Sequence, residues 1–237
     1  IPDRYKIPRI VFVNKMDRPG ARFEWVIEEL HRRLGANATA IQLPIGVESE
    51  FLGVIDLIEM KAYFWDEDVL GARYRVAEPP EDLVETAGKM RTALLERLSE
   101  TDDAFLEEYL EGGGLEPKRI KQVLRRATIE GKIFPVICGA AFKNKGIQTL
   151  LDAVLDYLPS PLESEAVTAI QPNTGDYVTL IPGADQPFAA LVFKITSDPY
   201  VGKLAYFRVY SGALKTGGGV YNATAARRER VHRLLRM

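Results

Sequence analysis

Ile10-Val11-Phe12-Val13-Asn14-Lys15-Met16-Asp17 is the stretch on which the fold of this 237-residue chain turns. Its first four residues are apolar and mostly β-branched, which predicts a short buried strand. Open α/β sheets bind ligands beyond the carboxyl ends of their strands, so the polar residues that follow stand where a ligand loop belongs. Their chemistry matches the edge of guanine. The Asp17 carboxylate is acceptor-only and can take two parallel hydrogen bonds from N1–H and the N2 amine. Adenine offers neither donor along that edge and would leave the desolvated carboxylate unpaired, at a cost of about 1–3 kcal/mol. Asn14 can bridge the base and neighbouring loop backbone, and the aliphatic stem of Lys15 can lie against the ring face. The plainer alternative is a polar strand-to-helix turn in which Asp17 caps the next helix.

Outward from this stretch, Pro19-Gly20 turns the chain into a helix with Phe23, Val26, Ile27, Leu30 and Leu34 on one face, stopped at Gly35. Residues 39–65 are strand-rich, with apolar runs at 40–43, 53–58 and 62–65. Helices follow after Pro79-Pro80, over residues 102–110 up to Gly112-Gly113-Gly114, and from Pro117 to a stop at Gly131. The βα pattern then returns. Ile133-Phe134-Pro135-Val136-Ile137-Cys138 predicts a buried strand, and Ile147, Leu150, Leu151, Val154 and Leu158 predict a helix closed by Pro159-Ser160-Pro161. Between them lies Gly139-Ala140-Ala141-Phe142-Lys143-Asn144-Lys145-Gly146, a second strand-to-helix loop. Its small residues would let backbone N–H groups approach a ligand, and one aimed at guanine O6 would exclude adenine's amine. Taken alone it reads equally as an ordinary turn with Lys143 and Lys145 solvated.

The expected organisation is two βα pieces of one sheet (residues 1–162), interrupted by an insertion at about 44–131 with its own α+β core. A linker with irregular structure is expected over 163–186, and an all-β segment from 187 to 237.

Composition sets the bounds. The chain is 46% hydrophobic and 27% charged with net charge −2, which argues against general coating of nucleic acid but leaves room for a local basic patch. Cys138 is the sole cysteine, so an intrachain disulfide is impossible, and its apolar setting predicts a buried structural thiol. His31 and His232 have ordinary surface readings and form no metal set. No apolar run approaches the roughly 20 residues that span a bilayer.

Three groups of strings carry a resemblance. Residues 7–18, read Ile7-Pro8-Arg9-Ile10-Val11-Phe12-Val13-Asn14-Lys15-Met16-Asp17-Arg18, resemble the fourth guanine-nucleotide motif of the bacterial elongation factor G family. Residues 138–146, with Leu150-Leu151-Asp152-Ala153 and Tyr157-Leu158-Pro159-Ser160-Pro161, resemble its fifth motif and the helix behind it. Phe193-Lys194-Ile195, Asp198-Pro199-Tyr200-Val201-Gly202 and Arg208-Val209-Tyr210-Ser211-Gly212 resemble the opening of its second domain. The resemblance implies an α/β fold: part of a P-loop GTPase-type G domain with an α+β insertion, followed by part of an all-β translation-factor barrel. It also implies a ribosome-dependent GTPase that moves tRNA and messenger RNA, working in the cytoplasm with GTP/GDP and, in the intact parent, magnesium. In that parent Asp17 would select guanine, Asn14 and Lys15 would hold the loop and base, and Ala140 and Ala141 would donate backbone hydrogen bonds. The implied partners are the ribosome with its RNA and, through the insertion, the ribosomal stalk protein; Glu107, Glu108 and Glu111 read first as a solvated helix face and second as participants in that contact. One departure is visible: where the family usually reads Gly-Ser-Ala, this chain has Gly139-Ala140-Ala141, which removes a hydroxyl but no backbone donor.

Nowhere in the 237 residues is there a G-x-x-x-x-G-K-[ST] run to cradle phosphates. Gly112-Gly113-Gly114-Leu115-Glu116-Pro117-Lys118 comes nearest, with the wrong spacing. The expectation is an internal piece of a longer GTPase that reads the base and does not hydrolyse GTP alone. A paralogue, a tetracycline-resistance ribosomal protection protein and an inert ribosome-binding module are the alternatives. Arg227-Arg228-Glu229-Arg230 with Arg233 and Arg236 reads equally as a solvated strand face or as an RNA-phosphate contact.

Overall fold

The computed structural model describes residues 7–66, 71–112, 114–163, 166–199 and 202–235. Of the residues singled out above, Gly113, Tyr200, Val201 and Arg236 lie outside them. The chain divides into two compact units, Ile1–Pro159 and Ser160–Met237.

In chain order the first unit contains β1 (Val11–Val13), α1 (Phe23–Leu34), β2 (Ala38–Ala40), β3 (Gln42–Ile45), β4 (Gly53–Asp56), β5 (Lys61–Trp65) and β6 (Tyr74–Ala77). It continues with α2 (Glu81–Ser99), α3 (Asp103–Leu110), α4 (Pro117–Ile129), β7 (Phe134–Cys138) and α5 (Ile147–Tyr157). Strands β1, β7 and β2 form a parallel sheet in that order, so the two βα pieces do share one sheet. Central β7 is buried along its whole length, which is why it reads as an unbroken apolar run. Cys138 is fully buried, and desolvation pushes its thiol well above the usual range, as a structural role requires.

The apolar run 40–43, read as one strand, is two. Ile41 N–H makes a last bond to the Val136 carbonyl (3.1 Å), and the chain then swings away into the antiparallel sheet β3-β4-β5-β6. Gln42 compensates: its buried Oε1 accepts from Cys138 N–H (3.2 Å) where the parallel ladder ends. Strand β6 is mostly exposed and carried no clear signal in the sequence.

The insertion does not keep a separate core. Leu43 and Ile55 of its sheet, Leu94 of α2 and Leu124 of α4 pack in one buried cluster with Ile137 of β7 and Tyr157 of α5. The apolar stripe of α4 faces the sheet and α5 together, so the insertion folds onto the βα body. Each such side chain, taken fully out of water, contributes about 1.5–3 kcal/mol before entropy is counted.

The second unit holds β8 (Val167–Ile170), β9 (Tyr177–Leu180), β10 (Ala189–Asp198), β11 (Gly202–Ser211), β12 (Gly219–Asn222) and β13 (Arg227–Arg230). They pair as three antiparallel two-stranded ladders. The β8–β9 hairpin occupies residues expected to be linker; four alternating residues per strand with exposed side chains are too faint a pattern to read. On β13, Arg227, Arg228 and Arg230 are exposed. No helix among the described residues is long and apolar enough to cross a membrane.

Candidate nucleotide-base site

Residues 14–17 leave the end of β1, and residues 139–146 leave the end of β7. Since β1 and β7 pair in parallel, with Val13 opposite Cys138, both loops emerge side by side from the same end of the sheet. Backbone bonds continue the ladder past the strands: Gly139 N–H to the Val13 carbonyl (3.0 Å) and Met16 N–H to the Gly139 carbonyl (3.1 Å). Met16 is the anchor, with its side chain only 1% exposed.

Asn14 joins the two loops. Its Oδ1 accepts from Lys15 N–H (2.8 Å) and from Ala141 N–H across the gap (3.0 Å). Both donors claim the oxygen, so the amide nitrogen remains as a donor. Lys15 sits at φ 65°, a left-handed conformation that ordinary side chains avoid and that ligand loops often hold. Its side chain is exposed.

Asp17 does not cap a helix. The next helix starts six residues later at Phe23, with Arg22 as its N-cap and no side-chain cap bond. The capping role that the plainer reading gave Asp17 is thereby excluded. The Asp17 carboxylate is largely shielded, and Lys143 of the second loop places its Nζ 3.6 Å from Oδ2. Lys143 is thus drawn to the first loop and is not merely solvated, and the same carboxylate edge could accept donors from a ring.

The second loop is narrower than its small residues suggest. Ala140 and Lys145 exchange two backbone bonds, N–H to carbonyl at 2.9 Å and 3.2 Å. The Ala140 amide is therefore committed inside the loop, and Ala140 itself is 1% exposed. Of the two donors expected from sequence, only Ala141 N–H, held by Asn14, faces the first loop. A Cβ on Gly139 would lie 2.4 Å from the Lys145 carbonyl oxygen, so that position needs glycine for space. Gly146 needs it for space and conformation, at φ 84° and 2.7 Å from the Cys138 carbonyl oxygen.

Sequence reasoning missed Lys145. It is buried, and its Nζ donates to the Phe51 carbonyl (2.9 Å) in the insertion. A lysine in a Gly- and Asn-rich loop gives no sign of burial. The insertion also holds this loop through the Gly71 carbonyl, which accepts from Asn144 (3.2 Å) and Gln148 (3.0 Å) side chains.

A cavity of about 220 Å³ elsewhere in this unit is lined by Asp56, Glu59, Lys121 and Asp156 among others, and by none of residues 14–17 or 139–146. The candidate base site lies between the two loops, apart from that cavity. Among the described residues no group of three His, Cys, Asp or Glu could hold a metal ion.

Residues 2–160 match the family described as the elongation factor Tu GTP binding domain, and residues 187–237 match elongation factor G domain 2. A crystal structure of a protein from Thermus thermophilus is similar at 31% identity with a TM-score of 0.73, covering 97% of this chain. This chain spans 31% of that protein's length. The α/β unit is accordingly a G domain and the β unit is like domain 2 of these factors, and guanine-nucleotide binding belongs to the family. The chain belongs to the translational GTPases built on the elongation factor Tu GTP binding domain.

Proposed function

We propose that this chain supplies the base-reading part of an elongation factor G-type GTPase, in which Asp17 selects guanine, Asn14 and Lys15 hold the loop and the base, and Ala141 N–H meets O6. Ala140 shapes the second loop from within and is not itself a ligand donor. The observation that carries this reading is the Asn14 Oδ1 bond to Ala141 N–H, which fixes the two loops as one surface. On binding, that amide would be shared between Asn14 and the base oxygen, and the Lys143 ammonium would give up Asp17 Oδ2 to the donors of the ring.

Phosphate and magnesium contacts, and hydrolysis itself, fall to other parts of a longer protein, since residues 1–237 contain no phosphate-cradling run. The longer protein would act on the ribosome in the cytoplasm, promoting movement of tRNA and messenger RNA. Exposed Arg227, Arg228 and Arg230 suit contact with ribosomal RNA phosphates. For the stalk protein, Glu107 and Glu111 are exposed on the insertion, whereas Glu108 is bound to Arg119 with both oxygens (2.9 Å each).

Competition titration tests the base reading. A fluorescent GDP bound to the chain should be displaced by GDP and not by ADP at the same concentration. Equal displacement by ADP refutes it.

A further inference from the structure

Lys145 is among the few charged residues buried among those described, at 3% exposed. Taking an ammonium out of water is costly unless it is hydrogen-bonded, and a loop that merely covered a surface would leave this side chain in solvent. Here its Nζ meets the carbonyl of Phe51, which is itself buried at the end of a short 3-10 turn, Glu48–Glu50. The backbone of the same lysine forms the two-bond bridge with Ala140. One residue therefore connects the insertion to the peptide that precedes Ala141.

The same turn reaches the first loop. Glu48 Oε1 accepts from Gly20 N–H (2.7 Å), three residues past Asp17. Glu48 sits at φ 53° to do so. On the other side, the Gly71 carbonyl holds Asn144 and Gln148, and a Cβ on Gly71 would lie 2.4 Å from the Lys143 carbonyl oxygen. The insertion thus grips the flanks of both base loops, while none of its described residues hydrogen-bonds residues 14–17.

We infer that Lys145 is a positioning residue for base recognition: it pins the second loop to the insertion at Phe51, so that the placement of Ala141 N–H depends on a contact remote from the base. This inference rests on the guanine reading of the two loops. It makes the insertion a support of the base site as well as a proposed docking surface, and displacement of residues 48–51 would be felt at Ala141.

The test titrates the full 237-residue chain with GDP, following backbone amides by ¹⁵N NMR well below the melting temperature. Lys145→Met keeps the length and removes the donor; Lys145→Arg keeps a donor. Lys145→Met should weaken GDP about tenfold and abolish the GDP-induced shift of the Ala141 amide while that of Lys15 persists. Lys145→Arg should restore at least half of the effect. A variant that melts earlier yet keeps GDP affinity within twofold, with the Ala141 shift unchanged, shows a core lysine only and overturns the inference. Should Lys145→Met fail to fold, Asn144→Gly releases the loop from Gly71 at a left-handed position that glycine tolerates. A threefold or larger loss of GDP affinity there sustains the tie, and no loss overturns it. If the unaltered chain shows no guanine-dependent shifts at all, the reading of the loops itself fails, and the inference with it.

Discussion

The two candidate base loops stand at the same end of one sheet but present their polar groups differently, one through side chains and the other through backbone. Residues 14–17 work through side chains: an Asn14 oxygen that takes two N–H groups and an Asp17 carboxylate held 3.6 Å from Lys143. Residues 139–146 work through backbone: a two-bond bridge, two glycines with no room for a Cβ, and an amide presented by Ala141. The difference teaches where each loop is vulnerable. The first should fail when functional groups change, and the second when backbone space is filled.

Asp17→Asn should give the largest effect. Hydrogen bonds to charged groups are worth about 1.5–3 kcal/mol, so GDP binding should weaken by about 10- to 100-fold. Xanthine nucleotides, whose extra carbonyl can accept from an amide, should bind better than GDP in a competition titration. Unchanged guanine preference breaks the side-chain half of the comparison.

Gly146→Ala attacks the backbone half. The new Cβ meets the Cys138 carbonyl oxygen at 2.7 Å with φ at 84°, and a loss of about 1–3 kcal/mol in unfolding free energy should follow. Gly20, past the first loop, has φ 80° but nothing within 4 Å of its Cβ position. Gly20→Ala should therefore cost only the conformational part, about 1 kcal/mol. Equal denaturation midpoints for the two variants would show that space does not matter at Gly146.

Asn14→Ala removes the link between the loops. Two bonds of about 0.5–1.5 kcal/mol each are lost, and the Ala141 amide should exchange faster with solvent while most amides of β7 stay protected. Ala140→Ser should do least. It restores the hydroxyl usual in the elongation factor G family at a buried position, and stability should change by less than about 1 kcal/mol with base preference intact.

The same contrast explains what could be read in advance. What Asn14 and Asp17 could offer a ligand was legible because side-chain chemistry is written in residue type, and β1 and β7 were legible because buried parallel strands read as apolar runs. The Ala140 bridge was not legible, since a committed amide looks the same in sequence as an idle one. Lys145 misled for a related reason: lysine signals solvent, and the Phe51 carbonyl that receives its ammonium lies 94 residues away in the chain. The break at Ile41 and the shared core of the insertion likewise depend on contacts between distant segments. In the second unit, strands β10 and β11 were found from their β-branched and aromatic content. The β8–β9 hairpin was not, because four residues per strand are too few for an alternation to stand out.

The most direct test of a shared guanine pocket is a ¹⁵N chemical-shift titration of the unaltered chain with GDP and, in parallel, ADP. A shared pocket predicts that Lys15, Met16, Asp17 and Ala141 amides shift together along one saturation curve with GDP and stay still with ADP. Shifts confined to one loop, or equal with both nucleotides, would contradict it.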